Sequence, residues 1–330
     1  MKSVSVTGLQ PQTLQVKVGA VHTIYSRYQS FNTRATIQLD RPLAPLTSFK
    51  IGGPADLLIE PRNADELASA LTDIAQQIGV QPFILGGGAN IVVSDAGVRE
   101  PVVRLARLDH VDIAGTRVRA GAGCPISTVA AQAADAGLAG LDFIYAMPGS
   151  TAGAVWMNAR CYGSEISDIL RRVHYVNYDG TSGVYEVDRS DFAYKVSPFQ
   201  QADRIITAAE FELVPGDRAA LWRRMRELEE DRRSKGHFDA PCAGSIFKNN
   251  RAFGAPSGAL LDQLGVRGRR RGGVRVSPKH ANIVINDSNG TAADIRTLVE
   301  ELAAEAQRAL GIGLEPEILF VGDWSDWSGS

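Results

Sequence analysis

PFILGGGANIVVSD, residues 82–95, decides how the N-terminal half of this chain folds. An apolar run of strand length ends in Gly86-Gly87-Gly88-Ala89-Asn90, and the chain then continues as a β-branched run, IVV. Glycines lack Cβ, so successive backbone N–H groups can converge on one point, an arrangement that attracts phosphate oxygens. A Rossmann turn needs a third glycine that opens a helix. Here a strand follows instead, so the Rossmann reading fails. Alone, the triple glycine is as compatible with a structural turn as with a ligand loop. A second stretch of the same character, MPGSTAGAVWMNARCYG (147–163), shifts the balance. Small residues at 149–154 allow close backbone approach, while Trp156 and Met157 anchor the segment. Two such loops suggest an extended ligand with a pyrophosphate, such as a dinucleotide.

Outward from these loops, strand-like and helix-like segments alternate. ADLLIEP (55–61) reads as a strand, and ADELASALTDIAQQIG (64–79) as a helix with apolar residues at three- and four-residue spacing. VRAGAGCP (118–125) and ISTVAAQAADAGL (126–138) repeat that order, with Gly137 stopping the helix. RVHYVNYDGTSGVYEVD (172–188) is a hairpin turning at Asp179-Gly180. Character changes near Val214-Pro215-Gly216. Beyond it lie a highly charged helix (217–236, with Leu221, Met225 and Leu228 on one face), a strand ANIVIN (281–286), a helix begun by Thr291, and a final strand in LEPEILFVG (314–322). The fold class is α+β, divided as an N-terminal extension (1–33), a first domain (34–213), a second domain (214–322) and a tail (323–330). LQVKVGAV (14–21) is the strand-like run of an otherwise weakly ordered extension.

The 330 residues suffice for two such domains. A net charge of −2 offers no electrostatic reason to expect nucleic acid or an anionic membrane as partner. Cys124, Cys161 and Cys242 form no close pair, and no Cys/His ligand spacing occurs, so no metal is expected and a reducing cytoplasm suits the chain. No apolar run approaches the roughly 18 residues of a membrane span. MKSVSVTGLQPQTLQVKVGA lacks the apolar centre of a signal peptide. A cytoplasmic monomer is the expectation.

AGSIFKNN (243–250) is harder to read locally. A polar turn accounts for its glycine, serine and asparagines. It does not account for Ile246 and Phe247, which suggest a half-buried strand holding Ser245, Lys248 and Asn249 in place.

Taken in order, TSFKIGGPAD, ILGGGANIVVSD, MPGSTAGAVWMNARCYG, AGSIFKNN, VSPKHANIVIN and LEPEI resemble the UDP-N-acetylenolpyruvoylglucosamine reductase (MurB) family over roughly residues 40–321. The resemblance implies a flavoprotein of peptidoglycan precursor synthesis. Its FAD-binding domain would be of the vanillyl-alcohol-oxidase (PCMH) type, followed by a smaller α+β substrate domain. By that likeness Gly86, Gly87, Gly88, Ala89, Asn90, Pro148, Gly149, Ser150 and Gly153 hold the FAD pyrophosphate region. Thr47, Ile51, Gly52 and Gly53 line the flavin side, and Asn158, Tyr162 and His280 join the cofactor set.

The family reaction moves a hydride from NADPH to FAD, then to the vinyl carbon of an enolpyruvyl ether on a UDP-sugar. Charge left on the adjacent carbon and its carboxylate needs a proton and positive stabilisation. Ser245 matches the family's proton donor and Glu317 its catalytic glutamate. Glu315, two residues earlier on a presumed strand, would share a face with Glu317. Where the family has Tyr-Arg-x-Ser, this chain has Tyr194-Lys195-Val196-Ser197. Lysine keeps the charge without the bidentate fork, so Lys195 takes the enolate-stabilising role as a point charge. Tyr194, Lys248, Asn249 and Lys279 are the substrate-binding candidates. Arg232 and Arg233 end a helix and either cap its dipole or meet the diphosphate; Arg267 to Arg271 reads most simply as a solvated basic turn, with a contact to UDP or the NADPH phosphate as the alternative. Two other functions stay open: another FAD-dependent oxidoreductase of the same fold acting on an alcohol or sugar, and a non-catalytic nucleotide-sugar binder.

Overall fold

The structure, a computed structural model, describes residues 31–327; the strand-like run at 14–21 lies outside the described residues. In chain order, the first unit opens with β1 (Thr36–Pro42), β2 (Pro54–Glu60), α1 (Ala64–Gln77), β3 (Phe83–Leu85), β4 (Ile91–Val93) and β5 (Val102–Arg104). Strands β1, β2, β5 and β3 lie side by side in that order, β1 antiparallel to β2 and the others parallel. Asn63 starts α1 by accepting from the Glu66 amide at 2.9 Å, and Leu67, Ala70, Leu71 and Ile74 form its buried face. Thr33 is tied to this helix: its amide donates to Asp73 Oδ2 at 2.8 Å.

A second layer contains β6 (Val111–Ala114), β7 (Arg117–Gly121), α2 (Ile126–Asp135), α3 (Thr151–Trp156), β8 (Leu170–Asn177), β9 (Ser182–Glu186) and β10 (Arg204–Glu212). Its strands run antiparallel in the order β9-β8-β10-β7-β6. β8 and β9 form the hairpin that Asp179-Gly180 predicts, Gly180 adopting φ +87°. One apolar core joins both sheets to α1 and α2.

The charged helix, α4 (Arg218–Ser234), follows the change of composition near residue 214. Its buried Leu221 and Met225 pack against Ala134 of α2, and Trp222 meets Tyr145 edge-on at 5.7 Å. The helix therefore leans on the first unit. The last unit is β11 (Cys242–Ser245), α5 (Ser257–Gln263), β12 (Arg270–Arg271), β13 (Val274–Val276), β14 (Ile283–Asn286), α6 (Ala292–Leu310) and β15 (Leu319–Val321). Its sheet runs β11-β14-β13-β12 and is covered by α5 and α6. Thr291 and Asp294 form a capping box at the start of α6, and Gly311 at φ +68° ends it.

The two units interlock. β15 leaves the last unit to pair in parallel with β4, directly after the triple glycine. Phe49 and Ile51, in the turn before β2, are buried in the core of the last unit rather than their own. Asp95 accepts from the first amides of α6, at 2.9 Å and 3.0 Å. Among the described residues, no helix is long and apolar enough to cross a membrane.

Candidate active site at the junction of the two units

Three segments converge on the triple glycine. A Cβ on Gly87 would lie 2.7 Å from both Gly149 Cα and Ser150 N, so the two glycine-rich loops touch backbone to backbone. The Gly87 amide donates to Ser150 Oγ at 3.2 Å, and Ser150 also caps α3 through the Gly153 amide at 3.3 Å. From the third segment, the Ser48 amide donates to Gly88 O at 2.9 Å, and a Cβ on Gly88 would strike Leu46 O. Gly52 (φ +133°) and Gly149 (φ +117°) hold conformations that other residues rarely adopt. Among the described residues, the amides of Gly86, Gly88, Ala89 and Asn90 donate to no protein acceptor. Unspent amides on a turn made mostly of glycine fit a pyrophosphate, and this cradle fits an FAD diphosphate on that ground. The Ile51 side chain is spent in the second core, and the Thr47 hydroxyl donates to Ile51 O at 2.9 Å.

The crowding makes a direct prediction. Gly87→Ala must push the 148–150 loop away, an overpacking cost of about 1–3 kcal/mol. The expected result is a folded protein with a lowered thermal midpoint and a clearly reduced flavin-to-protein absorbance ratio. Native flavin content in that variant would show that the loops do not set the cradle.

The Asn90 side chain donates to Glu317 O at 2.9 Å, and Leu319 N donates to Asn90 O at 3.0 Å. The end of the glycine loop thus positions the last motif. Glu317 N in turn donates to Ile246 O at 2.7 Å, and Lys248 N to Glu315 O at 2.9 Å, which lays 246–248 beside 315–317. The carboxylate of Glu317 meets Lys195 Nζ at 2.6 Å, with side chains only 13% and 12% exposed. Glu315 does not share this face, as the strand alternation suggested. Regular strand begins only at Leu319, Pro316 intervenes, and Glu315 points to Lys248 in solvent at 2.5 Å.

Ser245 ends β11 after Gly244 (φ +74°) and opens on a cavity of about 220 Å³ shared with Asn249, Lys279 and His280. Among the described residues its hydroxyl has no hydrogen-bond partner. Asn282, buried, clamps the next residues: its Oδ1 accepts from Phe247 N and its Nδ2 donates to Phe247 O, each at 2.9 Å. The sequence signal for this was present in SPKHAN but did not single out Asn282. Asn249 Oδ1 accepts from the Ser257 amide at 2.9 Å, and Asn249 N donates to Tyr194 Oη at 3.4 Å. Lys279 pairs with Asp239 at 2.9 Å. Burial depresses the His280 imidazole, which faces the cavity.

Other sequence candidates have different surroundings. Asn158 is fully buried with both ends of its amide engaged, Nδ2 donating to Ala193 O at 2.9 Å and Oδ1 accepting from Ser167 N at 3.1 Å. Tyr162 donates to Asp231 Oδ2 at 2.8 Å, and burial with that bond raises its phenol. Arg232 is 8% exposed, donates to Ala146 O at 3.3 Å, and has no carboxylate within ion-pair distance among the described residues. Its charge adds to burial in holding neighbouring His237 at about 4, hence neutral near pH 7. Arg233 pairs with Glu229 at 3.1 Å. The basic turn at 267–271 is wholly paired: Arg267 with Asp262, Arg269 with Glu305, Arg270 with Asp287 and Arg271 with Glu301.

Comparison with known proteins agrees with this layout. Residues 55–182 match the family model described as FAD binding domain, and residues 236–321 match UDP-N-acetylenolpyruvoylglucosamine reductase, C-terminal domain. The chain is 42% identical to the UDP-N-acetylenolpyruvoylglucosamine reductase of Treponema denticola over 306 residues, 88% of this chain and 94% of that one. It is 37% identical to that of Borreliella burgdorferi, over 85% and 93% of the two chains. The crystal structure of the enzyme from Thermus caldophilus superposes with a TM-score of 0.72 at 30% identity, covering 87% of this chain and 99% of that one. The architecture is an FAD-binding unit of the vanillyl-alcohol-oxidase type joined to a smaller α+β unit. At this identity over nearly the full length of its relatives, the chain belongs to the UDP-N-acetylenolpyruvoylglucosamine reductase family.

Proposed function

We propose that this protein reduces the enolpyruvyl group of UDP-N-acetylenolpyruvoylglucosamine to UDP-N-acetylmuramate, with NADPH as the electron source. The observation that carries the reading is the Lys195–Glu317 pair, shielded from solvent, beside the strand end bearing Ser245 and at the edge of the glycine cradle. Bound in that cradle, FAD supplies the two-electron chemistry between NADPH and the terminal vinyl carbon. Lys195 offers its ammonium to the carboxylate on which charge develops. Ser245, whose hydroxyl has no partner among the described residues, gives its proton to the carbon next to that carboxylate. Glu317 holds Lys195 in place and lends a second polar group at the same carbon.

Arg232, a buried cation without an acid partner among the described residues, suits the substrate diphosphate, with Lys279 and Asn249 on the cavity side. The Tyr194 ring has the Arg160 and Lys195 cations each 5.9 Å from its centre, and its hydroxyl accepts from Asn249 N beside the cavity. The division at 34–213 and 214–322 fits a cofactor unit and a substrate unit with α4 as connector. Three free cysteines suit a reducing cytoplasm, and a monomer without nucleic acid completes the reading.

The purified protein is expected to be yellow, bleached by NADPH, and restored by the enolpyruvyl substrate far faster than by oxygen. The flavin should separate on acid denaturation: the GGGAN loop has no histidine or cysteine, and burial pushes the Cys161 thiol up to about 11. An FAD-loaded protein that NADPH does not bleach would overturn the assignment.

A further inference from the structure

Lys195 is one of few non-glycine residues with a positive φ, +60°. Its turn is closed by Ala193 and Val196, each donating its amide to the carbonyl of the other at 3.2 Å and 3.0 Å. A left-handed lysine is strained by itself, so the surroundings must hold it. Among the hydrogen bonds that do so, those of one side chain reach Lys195 itself. Gln200 Nε2 donates to Lys195 O at 2.9 Å and to Trp156 O at 2.8 Å. Trp156 ends α3, and α3 is capped at its start by Ser150, the residue that accepts from Gly87 in the glycine cradle. The Gln200 amide therefore ties the Lys195 carbonyl itself to the far end of the helix that starts in the cofactor loop. Asn158 supports the same turn at Ala193 O, and Ser197 Oγ donates to Trp156 O at 2.7 Å.

We infer that Gln200 is a positioning residue of the reaction: its amide bridges Lys195 and Trp156 and so sets where the Lys195 ammonium stands relative to the cofactor cradle. The inference rests on the reading of Lys195 as the group that meets the substrate carboxylate. Without the bridge the turn can relax out of the left-handed region. Lys195 Nζ then loses its register with Glu317, although every charged group is still present. Displacements of about 1 Å at a reacting centre cost on the order of a hundredfold in rate.

The test is single-turnover kinetics on the FAD-loaded full-length protein. Gln200→Met removes both donors at similar size, and Gln200→Glu keeps the shape but presents acceptors to two carbonyls. In both, reoxidation of the reduced flavin by the enolpyruvyl substrate is expected to slow by about ten- to a hundredfold. Reduction by NADPH should stay within about twofold of native. In a Lys195→Ala background, Gln200→Met should change reoxidation by less than about twofold, because no ammonium remains to be placed. Thermal unfolding separates a folded variant from a damaged one. Unchanged reoxidation in Gln200→Met, or the same loss with and without Lys195, would overturn the inference. So would equal slowing of both half-reactions, which marks a general disturbance of α3. A native protein that the enolpyruvyl substrate cannot reoxidise would remove the enzymatic reading itself, a result distinct from any of these.

Discussion

Ser245→Ala is expected to leave flavin reduction by NADPH nearly intact, while reoxidation by the enolpyruvyl substrate slows by roughly two to four orders of magnitude, the scale of a positioned general acid. Only the second half-reaction requires a proton at the substrate carbon. The structure makes the substitution a clean one. The Ser245 hydroxyl has no protein partner among the described residues, so its removal uncovers no buried donor or acceptor. The neighbouring backbone is held independently, by Asn282 at Phe247 and by Glu317 N at Ile246 O. Ser245→Cys, a stronger acid of similar size, should recover part of the loss. Stopped-flow traces of the two half-reactions decide the matter. Equal slowing of both would mean that the change disturbed the cofactor site, and Ser245 would lose its role as the acid.

Lys195→Ala should lower turnover about tenfold or more, on the order of 1.4 kcal/mol of barrier. Two effects add. The developing carboxylate charge loses its cation, and Glu317, only 13% exposed, loses the partner 2.6 Å away. A carboxylate left unpaired in a largely buried site is costly, so reduced thermal stability is expected alongside the kinetic loss. The left-handed backbone does not confuse the comparison, because alanine and lysine both carry a Cβ and meet the same strain at φ +60°. Lys195→Arg keeps the charge and restores a fork suited to a carboxylate, so turnover should be retained or improved. Steady-state kinetics of the three proteins at saturating NADPH make the comparison. Unchanged turnover in the alanine variant would take Lys195 off the catalytic list.

The residues differ in how far the chain itself discloses them. Ser245 lies within a motif, and the buried Ile246 and Phe247 flanking it justify reading AGSIFKNN as a held strand end rather than a free turn. Lys195 is found as the occupant of a motif position. Gln200 and Asn282 carry no such mark, since an amide side chain looks the same in sequence whether it clamps a backbone or faces water. Asn158 sits in a glycine-rich motif and so reads as a ligand contact, yet both ends of its amide are spent inside the protein.

What the sequence by itself determined is what local chemistry can encode. Gly86 to Gly88 followed by a β-branched run excludes a Rossmann turn, because helix and strand continuations demand different side-chain periods. Asp179-Gly180 makes a hairpin because glycine alone enters its φ +87° without strain. Asn63 and Thr291 start helices because their side chains replace missing backbone acceptors. Tertiary structure alone decided three other matters, each depending on where distant segments meet. Glu315 turns to Lys248 instead of sharing the face of Glu317, because the chain becomes regular strand only where β15 joins β4. Phe49 and Ile51 serve the second core because the turn before β2 is pressed against the last unit. Gly87 is required by the opposing backbone at Gly149 and Ser150 as well as by any phosphate. A missing Cβ satisfies both demands alike, so sequence cannot separate them and only the packing can.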